Sequence, residues 1–279
     1  LMMAFSGVLV SKFGSKKMIL LAEVLYALVL FSMGSSSTVF QLILSLVAFG
    51  MMANLMNIAT NTQACLVEKM YGRNIMSSFH GLWSLGGFSG GIIGAVFANT
   101  LLPIEAHFGT ILAMSLVIIA VGFRFLVDDA TAKAEEEDVP KFSFRTSDPI
   151  LFLLGLMGFA GMFCEGTVYD WSGVYFSSVV KPDDAFIRAG YVAGMGAMTL
   201  GRFLADGFVT KYGPARVLKV CGGLIVGGLW LAAALPYLIP ATFGFLLVGF
   251  GISSSVPICY SIAGKLGTIK ASIAITIVS

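Results

Sequence analysis

Charge is what this sequence has least of. Lys, Arg, Asp and Glu make up 11% of its 279 residues, while 57% are hydrophobic. Ordinary soluble domains carry about 25% charged residues. A water-facing surface cannot be built from so few, which excludes a soluble fold and requires a multi-span membrane protein. Histidine is scarce too, with only His80 and His107. The four cysteines, Cys65, Cys164, Cys221 and Cys259, stand singly in apolar runs, without a CxxC pair or a Cys/His cluster. They read as small packing residues, so no metal or redox site is expected. A GxxxxGK[ST] loop is missing, so nucleotide hydrolysis is not the expected driver. A compact nucleophile–base motif is missing as well; no enzyme activity is expected, and no catalytic residue or cofactor is assigned. The absence of a basic face argues against nucleic acid as a partner.

Long apolar runs are what the chain has instead. A helix needs about 20 apolar residues to span a bilayer. By that rule spans are predicted at 18–34, 39–66, 74–101, 108–127, 149–178, 188–208, 216–236 and 240–264, with partial ones at 1–11 and 270–279. The connections then fall alternately on two sides. One side carries Lys12, Lys16, Lys17, Lys69, Arg73, Lys133, Lys141, Arg145, Lys211, Arg216, Lys219, Lys265 and Lys270; the other carries Lys181 and, at its edge, Arg188. This bias makes the lysine-rich side cytoplasmic by the positive-inside rule, and any other parity of helices destroys it. The longest connection, 128–148, holds the acidic run Glu135 to Asp138 and Pro140. It is too polar to bury a core of its own and reads as a cytoplasmic linker between two helical bundles, residues 1–127 and 149–279.

One short stretch occurs twice. Gly7-Val-Leu-Val-Ser-Lys-Phe-Gly-Ser-Lys-Lys17 joins two apolar runs, and Asp206-Gly-Phe-Val-Thr-Lys-Tyr-Gly-Pro-Ala-Arg216 repeats it 199 residues later. Lys12 matches Lys211 and Gly14 matches Gly213. With two bundles, a central linker and this repeated turn, the chain resembles the major facilitator superfamily, whose twelve helices form two pseudo-symmetric six-helix bundles. The family's loop signature, G-x-L-x-D-R-x-G-R-K, is matched by Gly7, Leu9, Lys12, Gly14, Lys16 and Lys17, with Ser11 in place of the usual acid. A narrower likeness, to fucose-permease-like sugar transporters, rests on Asn57 to Gln63, Ser77 to Gly87, Glu165 to Ser172 and Gly201 to Asp206.

The resemblance implies an all-α polytopic membrane protein of the major facilitator type. On its map, helix 1 and most of helices 11 and 12 are missing, as expected of a piece of a longer protein. It implies alternating-access transport of a small polar solute, a sugar or related compound, coupled to a proton. The expected setting is a monomer in the lipid bilayer of a bacterial inner (cytoplasmic) membrane. A membrane sensor that keeps the fold and moves nothing is the alternative.

Ionisable groups in hydrocarbon are costly unless paired or hydrated, and are functional-site candidates by default. Glu23, His80, Glu165, Arg202 and Asp206 qualify. Glu165 lies about 24 Å along its span by helical rise and is expected to touch solute or carry the proton; a structural hydrogen bond is the alternative. Asn54, Asn57 and Asn61 fall with Gly50 on one helical face, and His80 and Trp83 enter at similar depth. Amides bind hydroxyls and an indole packs on a sugar ring, so these residues, with Tyr260, are expected to bind solute. Interhelical hydrogen bonding would use the same groups. Arg202 and Asp206, four residues apart, can pair on one face. They are expected to gate or brace the bundle with Gly7, Lys12, Gly14, Lys16, Lys17, Lys211 and Gly213, while Glu23 is expected near Lys17. The resemblance implies that glycine faces at Gly86, Gly90 and Gly94 and at Gly190 and Gly194 meet as a smooth interface between the bundles. Ser253 to Ser255, followed by Pro257, predict a kink.

Overall fold

A computed structural model describes residues 2–98, 102–128, 149–267 and 269–279. Every regular element among them is helical. The α-helices are, in order, α1 (Met2–Phe13), α2 (Ser15–Gly34), α3 (Val39–Tyr71), α4 (Met76–Ala98), α5 (Ile104–Gly122), α6 (Pro149–Tyr175), α7 (Ala189–Tyr212), α8 (Pro214–Ala234), α9 (Leu238–Ile252), α10 (Ser255–Lys265) and α11 (Ala271–Val278), with short 3-10 turns at Phe123–Phe125 and Asp184–Phe186. A π-helical turn, Phe176–Val180, extends α6. From residue 129 onward the expected linker, with Lys133, Lys141, Arg145 and the acidic run, lies outside the described residues.

The ends of α3 show why the helix outruns its predicted limit. Thr38 Oγ1 accepts the Gln41 N–H (3.2 Å) while Gln41 Oε1 accepts the Ser37 N–H (3.0 Å). This local exchange satisfies donors that the first turn leaves orphaned. No proline follows until well past Gly72, which ends the helix at φ 68° with its N–H on the Glu68 carbonyl (3.1 Å). The helix therefore carries Glu68 inside its last turn, where a span ending at residue 66 leaves it in a loop.

Among the described residues six helical stretches are long and apolar enough to cross a membrane, with α9 and α10 counted together. Eight were expected. The two outside that set, α4 and α7, have the length, 23 and 24 residues. In α7 the charges of Arg202 and Asp206 lower the hydropathy. These helices pack against each other, so the polar residues look onto protein rather than lipid.

The two basic turns share one backbone. Gly14 stands at φ 90°, ψ 148° and Gly213 at φ 81°, ψ 153°. Each donates its N–H to a carbonyl one turn back, Val10 or Val209, at 2.9 Å. Side-chain-bearing residues rarely adopt this conformation. Lys12 lies 5.2 Å from the Phe13 ring and Lys211 5.1 Å from the Tyr212 ring, so even the neighbouring cation–π contact repeats.

Burial is unequal along the membrane axis. The larger apolar cluster joins Val10, Ile19, Leu55 and Cys65 of the first half to Leu151, Cys259, Tyr260 and Ala274 of the second. These residues lie toward the lysine-rich end. The other cluster, around Val168, Phe176, Met198, Phe245 and Val248, belongs to the second half alone. The halves are thus welded at one end.

The expected glycine-on-glycine interface between α4 and α7 does not form. Gly86, Gly87, Gly90 and Gly94 have open space where a Cβ would stand. Gly194 and Gly249 instead bring α7 and α9 into backbone contact, and Gly228 and Gly244 do the same for α8 and α9. Close approach serves packing inside the second half. The α4–α7 contact is made nearer the lysine-rich end, where Gly81 receives the ring of Phe203.

The predicted kink is a full break. The Pro257 ring has no N–H and crowds the carbonyl four residues earlier, that of Ser253. α9 stops at Ile252 and α10 starts at Ser255. Ser253 Oγ donates to the Phe250 carbonyl (2.7 Å) and Ser255 Oγ to that of Gly251 (3.0 Å).

Candidate functional site

Arg202 occupies the contact between the halves. It comes from α7, about 15 Å from the lysine-rich end by helical rise, and is only 5% exposed. Its Nη2 faces both carboxylate oxygens of Glu165 on α6, each at 3.3 Å. Its Nη1 donates across the interface to Ser84 Oγ on α4. One guanidinium thus ties a carboxylate of its own half to a hydroxyl of the other. The buried Nε has no hydrogen-bond partner among the described residues. Removing one member of such a buried pair typically costs about 3–5 kcal/mol, because a charge is left uncompensated.

The asparagine face lies beside this pair. Asn61 Nδ2 donates to the Asn57 carbonyl (2.9 Å), and Asn61 Oδ1 lies 3.2 Å from His80 Nε2. The His80 carbonyl accepts the Ser84 hydroxyl (3.2 Å), so the polar chain runs from Asn57 to Arg202. The Tyr260 ring lies 5.9 Å from that of His80, and the Tyr260 hydroxyl accepts from Ser279 Oγ (3.0 Å). Asn54 takes a different partner, the Ser6 hydroxyl of α1 (2.8 Å). Trp83 stands apart, 60% exposed beside exposed Leu82.

The expected Arg202–Asp206 pair is not made, because each side chain finds a partner in a different direction. Asp206 reaches the start of α4. It accepts the backbone N–H groups of Ser77 (3.0 Å) and Ser78 (2.8 Å) and the Ser78 hydroxyl (2.5 Å). A carboxylate from one half therefore caps a helix of the other, satisfying orphan donors at the positive end of the helix dipole. Glu23 and Lys17 form no ion pair with each other.

The pattern-based reading of the chain missed Glu68. Its side chain is fully buried. It accepts the Ile75 N–H (3.2 Å) and, across the interface, the Ser261 hydroxyl (2.7 Å), and it pairs with Lys265 Nζ at 3.3 Å. Asn74 adds contacts to Thr210 and Lys265, both at 3.4 Å. A cavity of about 230 Å³ lies among Glu68, Asn74, Ser77, Asp206, Ser261 and Lys265. Ser84 and Gln63 were also missed. The Gln63 side chain donates to Ser15 Oγ and to the Val127 carbonyl, each at 2.8 Å, and accepts the Val127 N–H (3.1 Å). It pins the point at which the chain leaves the first half.

All these cross-half bonds lie between the level of Arg202 and the lysine-rich end. Beyond Arg202, α4 and α7 separate: Leu85 and Phe88 on one and Val192 and Leu200 on the other are exposed. The cross-half contacts close the space between the halves at its lysine-rich end, and we read the space beyond the bridging ion pair as a cleft. Glu165, 24% exposed at its side chain, faces this opening, with Tyr169 and Tyr191 (ring centroids 5.9 Å apart) on the same side. Among the described residues no group of three His, Cys, Asp or Glu is placed to hold a metal.

Comparison with known proteins gives a consistent answer. The family model described as Major Facilitator Superfamily matches residues 1–277. An "Uncharacterized MFS-type transporter" of Yersinia pestis is 32% identical over 279 residues, 99% of this chain and 70% of that protein. An "Uncharacterized transporter" of Sinorhizobium fredii is 34% identical over 233 residues, 82% of this chain and 60% of that protein. A "Membrane protein MosC" of Rhizobium meliloti is 26% identical, and the chain spans 67% of its length. In structure, the chain is similar to the E. coli fucose:proton symporter, with a TM-score of 0.72 at 13% identity, over 100% of this chain and 76% of that one. At that identity the likeness speaks for the fold.

Proposed function

The chain belongs to the Major Facilitator Superfamily, and from that premise we propose that it works as a proton-coupled secondary transporter. It moves a small polar solute, a sugar or related compound, by alternating access across a bacterial cytoplasmic membrane, as a monomer of two bundles. The observation that carries this reading is the Glu165–Arg202–Ser84 bridge. It joins the two halves at the floor of a cleft, and one of its members can change charge by taking up a proton.

The positive-inside rule assigns the lysine-rich end to the cytoplasm. The conformation described is then open to the other side. Solute entering from there meets Glu165 first, then the Asn57–Asn61–His80 chain, whose amides and imidazole suit hydroxyl groups. Passage inward requires the Glu68–Lys265 and Asp206–α4 contacts to part while the outer ends of α4 and α7 come together. A proton on Glu165 weakens its hold on Arg202 and so loosens the floor. Proton and solute enter on the same side, which is symport.

The test is solute uptake by vesicles carrying the full-length protein, scanned over a panel of sugars and related polar compounds under an imposed pH gradient. Accumulation is expected to follow the gradient in wild type and to lose that dependence in Glu165→Gln. Uptake indifferent to the gradient and unchanged in Glu165→Gln overturns the proton coupling.

A further inference from the structure

We propose that the transported solute carries a carboxylate, which takes the place of Glu165 on Arg202; this rests on the transport reading above. The Arg202 guanidinium has five N–H donors in a rigid plane, suited to two-point contact with a carboxylate. Here it makes no such contact. A single nitrogen, Nη2, faces both Glu165 oxygens at 3.3 Å, longer than the roughly 2.7–2.9 Å of a strong charge-assisted bond. Nε, buried, has no partner among the described residues. The pair is loose, and donor capacity remains beside it.

The two partners are not equally able to leave. Arg202 is 5% exposed and anchored to Ser84 of the other half. Glu165 is 24% exposed at its side chain and faces the cleft. A cationic solute that displaced Arg202 from Glu165 would strand a buried guanidinium, which is expensive. An anionic solute that displaces Glu165 from Arg202 leaves the guanidinium paired. The released carboxylate stands at the cleft, where it can be protonated from the open side.

The charges then balance. One solute carboxylate enters with one proton; the proton binds a Glu165 oxygen, and the solute oxygens accept the Arg202 N–H bonds. The site holds one cation and one anion before and after. The charged and titratable groups around Glu165 are Arg202 and Tyr191 on α7 and Tyr169 on its own helix, with His80 of α4 beyond Arg202. The remaining polar groups, the amides of Asn57 and Asn61 and the imidazole of His80, suit hydroxyls. Together these groups fit a polyhydroxy carboxylate of the sugar-acid class.

The experiment measures thermal unfolding of the full-length protein in nanodiscs, with acetate, lactate, gluconate and glucuronate as probes and chloride of equal ionic strength as control. Glu165→Ala is expected to lower the midpoint, and acetate to restore at least half of the loss by filling the vacated place on Arg202. The restoration is expected to vanish in the Glu165→Ala/Arg202→Gln double variant. Glu165→Gln keeps the side-chain shape, removes the competing charge, and covers the case in which Glu165→Ala does not fold. It is expected to bind gluconate or glucuronate about tenfold tighter than wild type. No carboxylate acting beyond chloride on Glu165→Ala or Glu165→Gln overturns the proposal. Gradient-driven uptake of a neutral sugar that no carboxylate inhibits overturns it too, while leaving the transport reading intact. Loss of gradient-driven uptake for every compound fails the transport reading instead.

Discussion

The two copies of the basic turn share a backbone and differ in chemistry. Gly14 and Gly213 have nearly the same φ and ψ, and each N–H returns to a valine carbonyl at the same 2.9 Å. Seven residues before each glycine the copies part. The first has Gly7, which lies so close to Thr276 and the Ser272 carbonyl of α11 that a Cβ would not fit. The second has Asp206, whose carboxylate takes two N–H groups and a hydroxyl at the start of α4. Both positions face the opposite half. One interface is therefore held by backbone approach and dispersion, the other by charge and hydrogen bonds. Packing of the first kind tolerates no added volume. A carboxylate at a helix terminus can release and re-form its bonds with water at either stage. The asymmetry suggests that the α4–α7 side latches and the α1–α11 side pivots.

Four substitutions break or sharpen that contrast. The largest effect is expected from Asp206→Asn, which keeps shape but loses the charge and one acceptor. Hydrogen bonds to a charged group contribute about 1.5–3 kcal/mol, or roughly a 10- to 100-fold shift toward an open lysine-rich end. Cys65 is the built-in reporter: it is buried in the interface, with its thiol on the Tyr260 carbonyl at 3.6 Å. Its labelling by a maleimide from the lysine-rich side should accelerate by that factor, and an unchanged rate removes the latch from Asp206. Gly7→Ala comes next. Overpacking against Thr276 is expected to cost about 1–3 kcal/mol, read as a lower unfolding midpoint, with Cys65 no more reactive at temperatures below unfolding. Acceleration like that of Asp206→Asn would mean that both sides latch. Smallest and most alike are Gly14→Ala and Gly213→Ala, each about 1 kcal/mol for forcing a side chain into a glycine conformation. Costs differing by more than about 1 kcal/mol would show that the shared backbone hides unlike surroundings.

Much of this was legible in the residue order, and what was not has a common cause. The length of the apolar runs and the lysine bias located the membrane helices, and the recurrence of Lys12 and Gly14 as Lys211 and Gly213 pointed to the internal repeat. Glu165, Arg202 and Asp206 stood out because charge in an apolar run is expensive. Their partners did not, since spacing along one helix says nothing about the helix opposite; Arg202 and Asp206 looked like a pair for that reason alone. Glu68 was lost to a boundary error. Next to Lys69 and past the apolar run it resembled a loop acid, yet Gly72 was the better stop signal, and reading the helix to that glycine would have found it. Ser84 and Gln63 lay in stretches that carried the family likeness but drew no role of their own, because a single uncharged polar residue inside a long helix is ordinary. The α4 and α7 glycines misled, since small residues announce close approach without naming the neighbour.

The break at Ser253–Ser254 has a mechanical consequence. α9 is clamped to α7 and α8 through Gly249 and Gly244, whereas α10, though it also meets α8 and shares α6 with α9, reaches α3, α4 and α11 and carries Ser261 and Lys265 to Glu68. A continuous rod would transmit every tilt of its inner end to its outer end. A jointed one need not, because the serine hydroxyls already hold the carbonyls that bending exposes. On the transport reading, α10 can then swing on a short arm while α9 and the helices clamped to it keep their shape.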